Sequence, residues 1–333
     1  MKTVLVTGAS GRIGRLLCAQ LCKKGYTVHA LVRKKSSLGV QRSSAARNMR
    51  ARGSIKEFVG DVLDFPSIAR AAKGVDAVVH LAALIDSDAP PQRLFEVNVL
   101  GTKNALAAAP TGCKFIYASS IAVYGRNLPP LADENSPALP STNYGKSKFL
   151  AEACVLCEQG RLDVVSLQFG VVYGKGFDDG YHSVFKMLQK GKMKIIGDGG
   201  NSLSFVHVQD VLSALLLALE KPSPSCIYLI VGEQKTQKEL LSMAAKELKA
   251  KPPTQHISKH MALALAKLSA LFSKLKGKKP SLNYDAVEMI SSHRSFDTHK
   301  AQDELSWKAK VKLKDGVREM ACEYLKKAGK AQK

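Results

Sequence analysis

Val4-Leu5-Val6-Thr7-Gly8-Ala9-Ser10-Gly11-Arg12-Ile13-Gly14 stands at the head of the chain, directly before the helical pattern of Arg15–Lys24. An apolar run, three glycines and a helix spell a strand, a tight turn and a helix N-terminus. Glycine is needed in such a turn because the backbone must bend sharply and approach an anion with no Cβ in the way. The helix start then offers free N–H groups and the positive end of its dipole. The anion this arrangement fits is the pyrophosphate of a dinucleotide, held by Gly8, Ser10, Gly11, Arg12, Ile13 and Gly14.

The next hundred residues repeat the alternation. Val4–Thr7, Thr27–Val32, Lys56–Val59, Ala77–Leu81 and Lys114–Ala118 read as strands, and Arg15–Lys24, Ser67–Ala72 and Leu94–Ala108 as the helices between them. A sixth strand, Val164–Gln168, follows a helix that starts near Tyr144. Strands alternating with helices pair in parallel through right-handed crossovers. The fold class is therefore α/β, a Rossmann-type doubly wound parallel sheet with a smaller, discontinuous, mostly helical substrate lobe. Residues 1–170 make the dinucleotide-binding domain. Phe205–Val208 and Ile227–Val231, within 203–231, are expected to return to its sheet. Residues 171–202 and 232–325 make the lobe, and 326–333 a basic tail.

At 333 residues and 45% hydrophobic content the chain can bury a sizeable core. Its seven cysteines are scattered, and Cys154-x-x-Cys157 has no second pair or nearby histidine to complete a zinc set. No metal site is expected, and reduced thiols point to a cytoplasmic setting. Met1-Lys2 runs straight into the first strand, so no secretory signal is expected, and the apolar run Val211–Leu219 is too short to span a bilayer. The formal net charge is +22. It gathers in residues 31–56, with eight Lys or Arg and no acid, and in 249–284, with eight Lys and no acid. Such surfaces attract nucleotides, nucleic acid or anionic lipid, or simply keep a protein in solution.

Which dinucleotide is expected follows from the end of the second strand. An acid there would bond an adenosine ribose; the chain reads Leu31-Val32-Arg33-Lys34-Lys35-Ser36 instead. Arg33, with Lys34 beside it and Arg12 helping from the glycine loop, suits a 2′-phosphate, so NADP(H) is favoured over NAD(H). Asp61 and Val62 are placed to border the adenine, and Ala82-Ala83 to back the cofactor.

The chemistry is carried by Asn143-Tyr144-Gly145-Lys146-Ser147-Lys148. Tyr144 and Lys148 are four apart and share one helix face. A free tyrosine, with a pKa of about 10, is a poor base at neutral pH. A neighbouring ammonium, and the positive nicotinamide of an oxidised cofactor, favour the phenolate. Tyr144 can then take a proton from an alcohol or give one to a carbonyl. Lys148 would also hold the nicotinamide ribose, and Ser120 would bond and orient the substrate oxygen.

With these residues in place the chain resembles the extended short-chain dehydrogenase/reductases, the NAD-dependent epimerase/dehydratase family. The resemblance runs from Lys2 to about Leu325. It rests on Thr7–Gly14, Gly60-Asp61, His80-Leu81-Ala82-Ala83, Asn98-Val99-Leu100-Gly101-Thr102, Ser119-Ser120-Ile121-Ala122-Val123-Tyr124-Gly125, Tyr144 with Lys148, and Phe205–Asp210. It implies that Ser120, Tyr144 and Lys148 are the catalytic residues. It places Asn98 where the family has a structural, sometimes proton-relaying, asparagine beside the cofactor. One departure is that Gln168-Phe169 stand where the family usually has Arg-Pro, whose proline shapes the backbone facing the nicotinamide carboxamide.

Within the family the chain is most similar to the branch of 3β-hydroxysteroid dehydrogenases and dihydroflavonol-type reductases, through Asn98–Thr102, Phe115–Val123 and Arg294-Ser295-Phe296-Asp297. This implies an apolar secondary alcohol or ketone as substrate, and Tyr181, His182 and Phe205 are candidates for its pocket. A nucleotide-sugar epimerase or dehydratase is the alternative enzyme. Dehydratases usually carry an acid beside the serine, and here Ile121-Ala122 follow it. A non-catalytic NADPH- or RNA-binding relative is the alternative of another class. Nucleic acid is not the expected partner, because no aromatic-plus-basic stacking motif appears and both Tyr144 and Lys148 remain. Family members often form homodimers.

Segment 261–278 bears on the substrate. Met261, Leu265, Leu268, Phe272 and Leu275 fall on one side of a helix, and Lys267, Lys274 and Lys278 elsewhere. A basic amphipathic helix can lie on an anionic membrane. Stripes at this spacing usually face a core, so burial of the stripe is the expectation.

Overall fold

The structure, a computed structural model, describes residues 2–35, 38, 53–86, 89–126, 128–177, 180–222, 226–275 and 284–330; the side chains of 270, 272–275 and 330 are not described either. Much of the basic stretch 31–56, and Lys278 with the side chains of Phe272, Lys274 and Leu275 of the amphipathic pattern, thus lie outside it.

The main sheet has seven strands: β1 (Thr3–Thr7), β2 (Thr27–Val32), β3 (Ser54–Val59), β4 (Ala77–His80), β5 (Lys114–Ser120), β6 (Asp163–Phe169) and β10 (Ile227–Ile230). Their order is β10-β6-β5-β4-β1-β2-β3, and every pairing is parallel. The strand order reverses between β1 and β4, which opens a crevice at their carboxyl ends.

Period-two alternation decides what covers each face. Val4 and Val6 of β1, Val79 of β4 and Ile116 of β5 join one buried cluster with Leu17 and Leu21 of α1 (Arg12–Lys23). Leu5, Val78, Phe115 and Tyr117 point the other way, onto Ile68 of α2 (Phe65–Ala72) and Leu106 of a longer helix. That longer helix is α3 (Pro91–Phe95) and α4 (Gly101–Ala108), joined by a π turn over Glu96–Leu100 that contains Asn98. On the same face lies α5 (Asn143–Leu156), which carries Tyr144 and Lys148. The sheet is doubly wound.

Of the two strands expected to return to it, only Ile227–Ile230 does, beside β6. Phe205, Val206 and His207 belong to β9 (Ser202–His207), and Val208 opens the helix that follows. This strand instead pairs β7 (Val171–Tyr173) in parallel and β11 (Gln234–Thr236) antiparallel. The physical reason lies in its alternation. Leu203 and Phe205 fill the lobe's own cluster, while Val206, on the opposite face, packs into the main core. After Gly170 the chain leaves the edge of β6 to β10 and builds a second small sheet. Helices α6 (Tyr181–Gln189), α8 (Gln237–Glu247) and α12 (Leu313–Lys330) close over that sheet, while α7 (Val208–Glu220) packs back on the main one. The lobe also holds β8 (Ile195–Ile196), β12 (His256–Ile257), α9 (Lys259–Leu275) and α10 (Tyr284–Ser291); α11 (His299–Leu305) lies against the main core.

Asp210, in the first turn of α7, joins the two parts. Its buried carboxylate accepts the backbone N–H groups of Lys310 (2.9 Å) and Val311 (3.2 Å), and its carbonyl accepts the Trp307 indole N–H at 3.0 Å. Replacing Asp210 with Ala leaves two donors without their carboxylate. Denaturant titration is expected to show a loss of about 3 kcal/mol; a loss below about 0.5 kcal/mol would mean that this carboxylate is not what holds the loop.

Candidate active site

The glycine turn sits at the crevice. Gly8 has φ +65, a left-handed conformation, and a Cβ there would lie 2.8 Å from the Ala82 nitrogen. A Cβ at Gly14 would collide with the Gly8 carbonyl, and Gly11 donates its N–H to the same carbonyl at 2.9 Å. These three positions keep loop, helix and the segment after β4 in backbone contact. Helix α1 opens with no side-chain cap and no acid in its first turn. Uncapped N–H groups at a dipole's positive end, in a cradle that admits no Cβ, fit a pyrophosphate. Ser10 lends its carbonyl to the Arg15 guanidinium at 2.9 Å, Arg12 lies 5.4 Å from the Phe177 ring centroid, and Ile13 packs on the main core.

The adenine side follows the strand order. Arg33 and Lys34 are exposed just past the end of β2, next to β1. Asp61 caps its own turn, with Oδ1 accepting the Leu63 N–H at 3.0 Å, and Val62 is buried against α4, its carbonyl accepting from Asn104 at 2.9 Å. Ala82 and Ala83 are half-buried in the segment after β4, with the Ala82 backbone against Gly8. The Ala82 N–H reaches the Thr7 hydroxyl at 3.2 Å.

Beneath them runs a buried relay absent from the sequence reading. Thr102 donates its only hydroxyl proton to the Asn98 carbonyl (2.6 Å), so it accepts from His80 Nε2 (3.1 Å); His80 Nδ1 then accepts from Thr7 Oγ1 (2.8 Å). Burial, reinforced by the charge of Lys148, lowers the His80 pKa to about 3, so the ring stays neutral and its tautomer is set. Asn98 is the pin of the site. Its Oδ1 accepts the Leu84 N–H (2.7 Å), and its amide donates to Leu84 O (3.1 Å) and Ser147 Oγ (2.9 Å). The π turn aims this side chain across from α4 to α5, as such turns often do at functional sites.

Ser120, Tyr144 and Lys148, the three residues expected to be catalytic, converge at the carboxyl end of β5. Ser120 is the last residue of that strand, and its Oγ accepts the Ala122 N–H at 3.2 Å. Thr142 caps α5 by accepting the Gly145 N–H, which sets Tyr144 in the first turn. Burial pushes the Tyr144 pKa up to about 12, while a hydrogen bond from Ser120 pulls it back. One turn on, Lys148 is 2% exposed; its Nζ donates to Ala118 O at 2.5 Å and lies 4.0 Å from the Tyr117 ring centroid. Burial lowers its pKa to about 7, against the opposing pull of Glu152. Glu152 in turn accepts from Ser166 (2.6 Å) and Gln168 (2.9 Å), and Gln168 Oε1 accepts the Tyr124 hydroxyl (2.7 Å). Gln168, the departure from the family pattern, thus joins the lysine's helix to the turn that follows Ser120. The four-residue spacing of Lys148 and Glu152 was the one signal that could have exposed this set.

Tyr181, His182 and Phe205 lie in the lobe. Phe205 is buried edge-on to Tyr173 at 6.1 Å, Tyr181 packs on the lobe cluster with a buried hydroxyl, and His182 meets Tyr324 at 5.2 Å.

Residues 4–230 match the NAD dependent epimerase/dehydratase family. The chain belongs to that family. It is an NAD(P)-dependent oxidoreductase. It is 28% identical over 316 residues to Sterol demethylase protein B of Methylococcus capsulatus, covering 91% of this chain and 92% of that one. It is 30% identical over 252 residues to N-acetyl-alpha-D-glucosaminyl-diphospho-ditrans,octacis-undecaprenol 4-epimerase of Escherichia coli O157:H7, covering 73% and 76%. The solved structure of MoeE5 in complex with UDP-glucuronic acid and NAD superposes with a TM-score of 0.73 at 26% identity, covering 98% and 99%.

A lysine whose pKa drops on folding makes stability depend on pH. Between about 7 and the ordinary 10.5 the unfolded chain binds the proton and the folded chain does not, so this contribution to stability rises with pH across that window. Lys148→Met removes it. Relative to the unmodified protein, the variant is expected to gain most in melting temperature near neutrality and to lose that advantage toward pH 10. A difference independent of pH would contradict the buried-ammonium account.

Proposed function

We propose that the protein is an NADP(H)-dependent oxidoreductase that interconverts a secondary alcohol and a ketone on a largely apolar substrate, with Tyr144 as acid and base. The observation that carries this reading is the convergence of Ser120, Tyr144 and Lys148 at the end of β5, facing the glycine turn across the switch point. Bound NADP(H) supplies or accepts the hydride. The chain's own residues do the rest. Ser120 bonds and orients the substrate oxygen, and Tyr144 gives it a proton in reduction or removes one in oxidation. Lys148, on the same helix face, bonds the ribose; below about pH 7, where it still carries its proton despite burial, it also favours the tyrosinate. Arg33 and Lys34 support the choice of NADP(H), since they stand where a ribose-binding acid would select NAD(H).

The absence of an acid beside Ser120, where Ile121-Ala122 stand, weighs against dehydration. An apolar body is supported by the likeness to a sterol-acting relative, whereas the likeness to MoeE5 keeps a nucleotide sugar as the competing substrate. A panel of hydroxysteroids, other secondary alcohols and UDP-sugars with NADP⁺ or NAD⁺ separates the two. Reduced cofactor is expected with an apolar alcohol, rising with pH because a tyrosine held near 12 must lose its proton for oxidation. Tyr144→Phe should lower that rate by about 10²- to 10⁴-fold. Conversion of a UDP-sugar without net cofactor change would overturn the reading. Arg33→Ala should weaken NADPH binding on the order of tenfold and leave NADH binding unchanged. Equal losses for both cofactors would show that Arg33 does not read the 2′-phosphate.

A further inference from the structure

Helix α9 (Lys259–Leu275) turns its large side chains away from the protein. Met261, Leu265, Leu268 and Leu271 are 54%, 46%, 51% and 57% exposed, against the burial expected of such a stripe. The face that does pack is made of Ala262 and Ala266, against Val287 of α10. At about 100° per residue the four large residues fall within about 120° of arc, with the alanines opposite and His260 and Lys267 along one flank. Small residues let the two helices approach closely, and the bulk is left outside. Scattered exposed leucines need no account, but four in one stripe mark a surface that meets something apolar.

The charge around the stripe selects the partner. Residues 249–284 hold eight lysines and no acid. Among the described residues Lys251, His260 and Lys267 are exposed there. A second copy of this chain would set the basic flank of His260 and Lys267 against another like it. An anionic lipid surface satisfies both features, taking the apolar face into the acyl boundary while basic groups meet headgroups, each worth about 1 kcal/mol. No described helix is long and apolar enough to cross a membrane. We propose that α9 docks the substrate lobe in the plane of an anionic bilayer, through Met261, Leu265, Leu268 and Leu271.

The docking face is tied to the site. Buried Glu288 of α10 pairs with Lys259 at the start of α9 (3.1 Å) and with Arg126 (3.3 Å), which follows the turn after Ser120. Arg294 donates to the carbonyl of Ile121, beside that serine, at 2.6 Å. A lipid-like substrate would thus be met at the end of the site that carries Ser120; this consequence rests on the proposed activity, whereas the docking does not.

Vesicle co-sedimentation tests the docking without recourse to activity. The full chain is incubated with phosphatidylcholine vesicles, with or without phosphatidylglycerol, at low and high salt. Binding is expected to the anionic vesicles, falling about tenfold on neutral vesicles or at high salt. The pair Leu265→Asp and Leu268→Asp should abolish it with the circular dichroism spectrum and NADPH binding intact, since both side chains are exposed. Lys267→Glu should weaken it. Equal binding to neutral and anionic vesicles, binding undiminished by the aspartates, or no binding by the unmodified chain would each overturn the proposal. So would a dimer in sedimentation velocity that the aspartates dissociate while vesicles go unbound, because the stripe would then be a self-association face.

Discussion

Burial of the Lys148 amine is the constraint around which the site is arranged. A polar head 2% exposed is costly unless its N–H groups are claimed, and here Ala118 O and the face of Tyr117 claim them. Both partners belong to β5, so the lysine fixes α5 against that strand at one height. Ser120 then lies two residues beyond Ala118, and Tyr144 one turn before Lys148, which brings the two hydroxyls together. On the far side Glu152 carries the constraint into β6 through Ser166 and Gln168, and Gln168 returns it to Tyr124 in the turn after Ser120. Ser120 and Tyr144 thus stand on a strand end and a helix bound to each other through buried polar contacts. Such a frame holds geometry better than a loop can.

What was legible in the sequence was what local backbone demands write into it. Gly8, Gly11 and Gly14 are required by close approaches within one turn, and Tyr144 with Lys148 by one turn of helix. The doubly wound sheet followed from strands and helices taking turns. What was not legible depends on partners far away in the chain. The alternation in Phe205–Val208 marks a strand but not which sheet receives it, and β9 went to the lobe because Leu203 and Phe205 serve the lobe cluster. Gln168 read as a missing arginine; its purpose lies in contacts with Glu152 and Tyr124, which no spacing brings near. The stripe on α9 was visible, but its direction was decided by alanines that fit against Val287 where leucines would not.

The two ends of the molecule then divide the work. The main sheet offers a cradle for a dinucleotide and the convergent trio Ser120, Tyr144 and Lys148, with basic residues at the end of β2. The lobe offers a closed core of its own and one helix whose apolar side has no place in that core. Ion pairs through Glu288 join the start of that helix to Arg126, past the turn that follows Ser120.

The most direct measurement of the central claim is isotope transfer. The protein would be incubated with a ketosteroid and NADPH carrying deuterium at the hydride position, and the product examined by mass spectrometry. The account predicts an alcohol one deuterium heavier, labelled on the carbinol carbon, with NADP⁺ formed in equal amount. Unlabelled product, or deuterium retained on the cofactor while a UDP-sugar changes configuration, would contradict it.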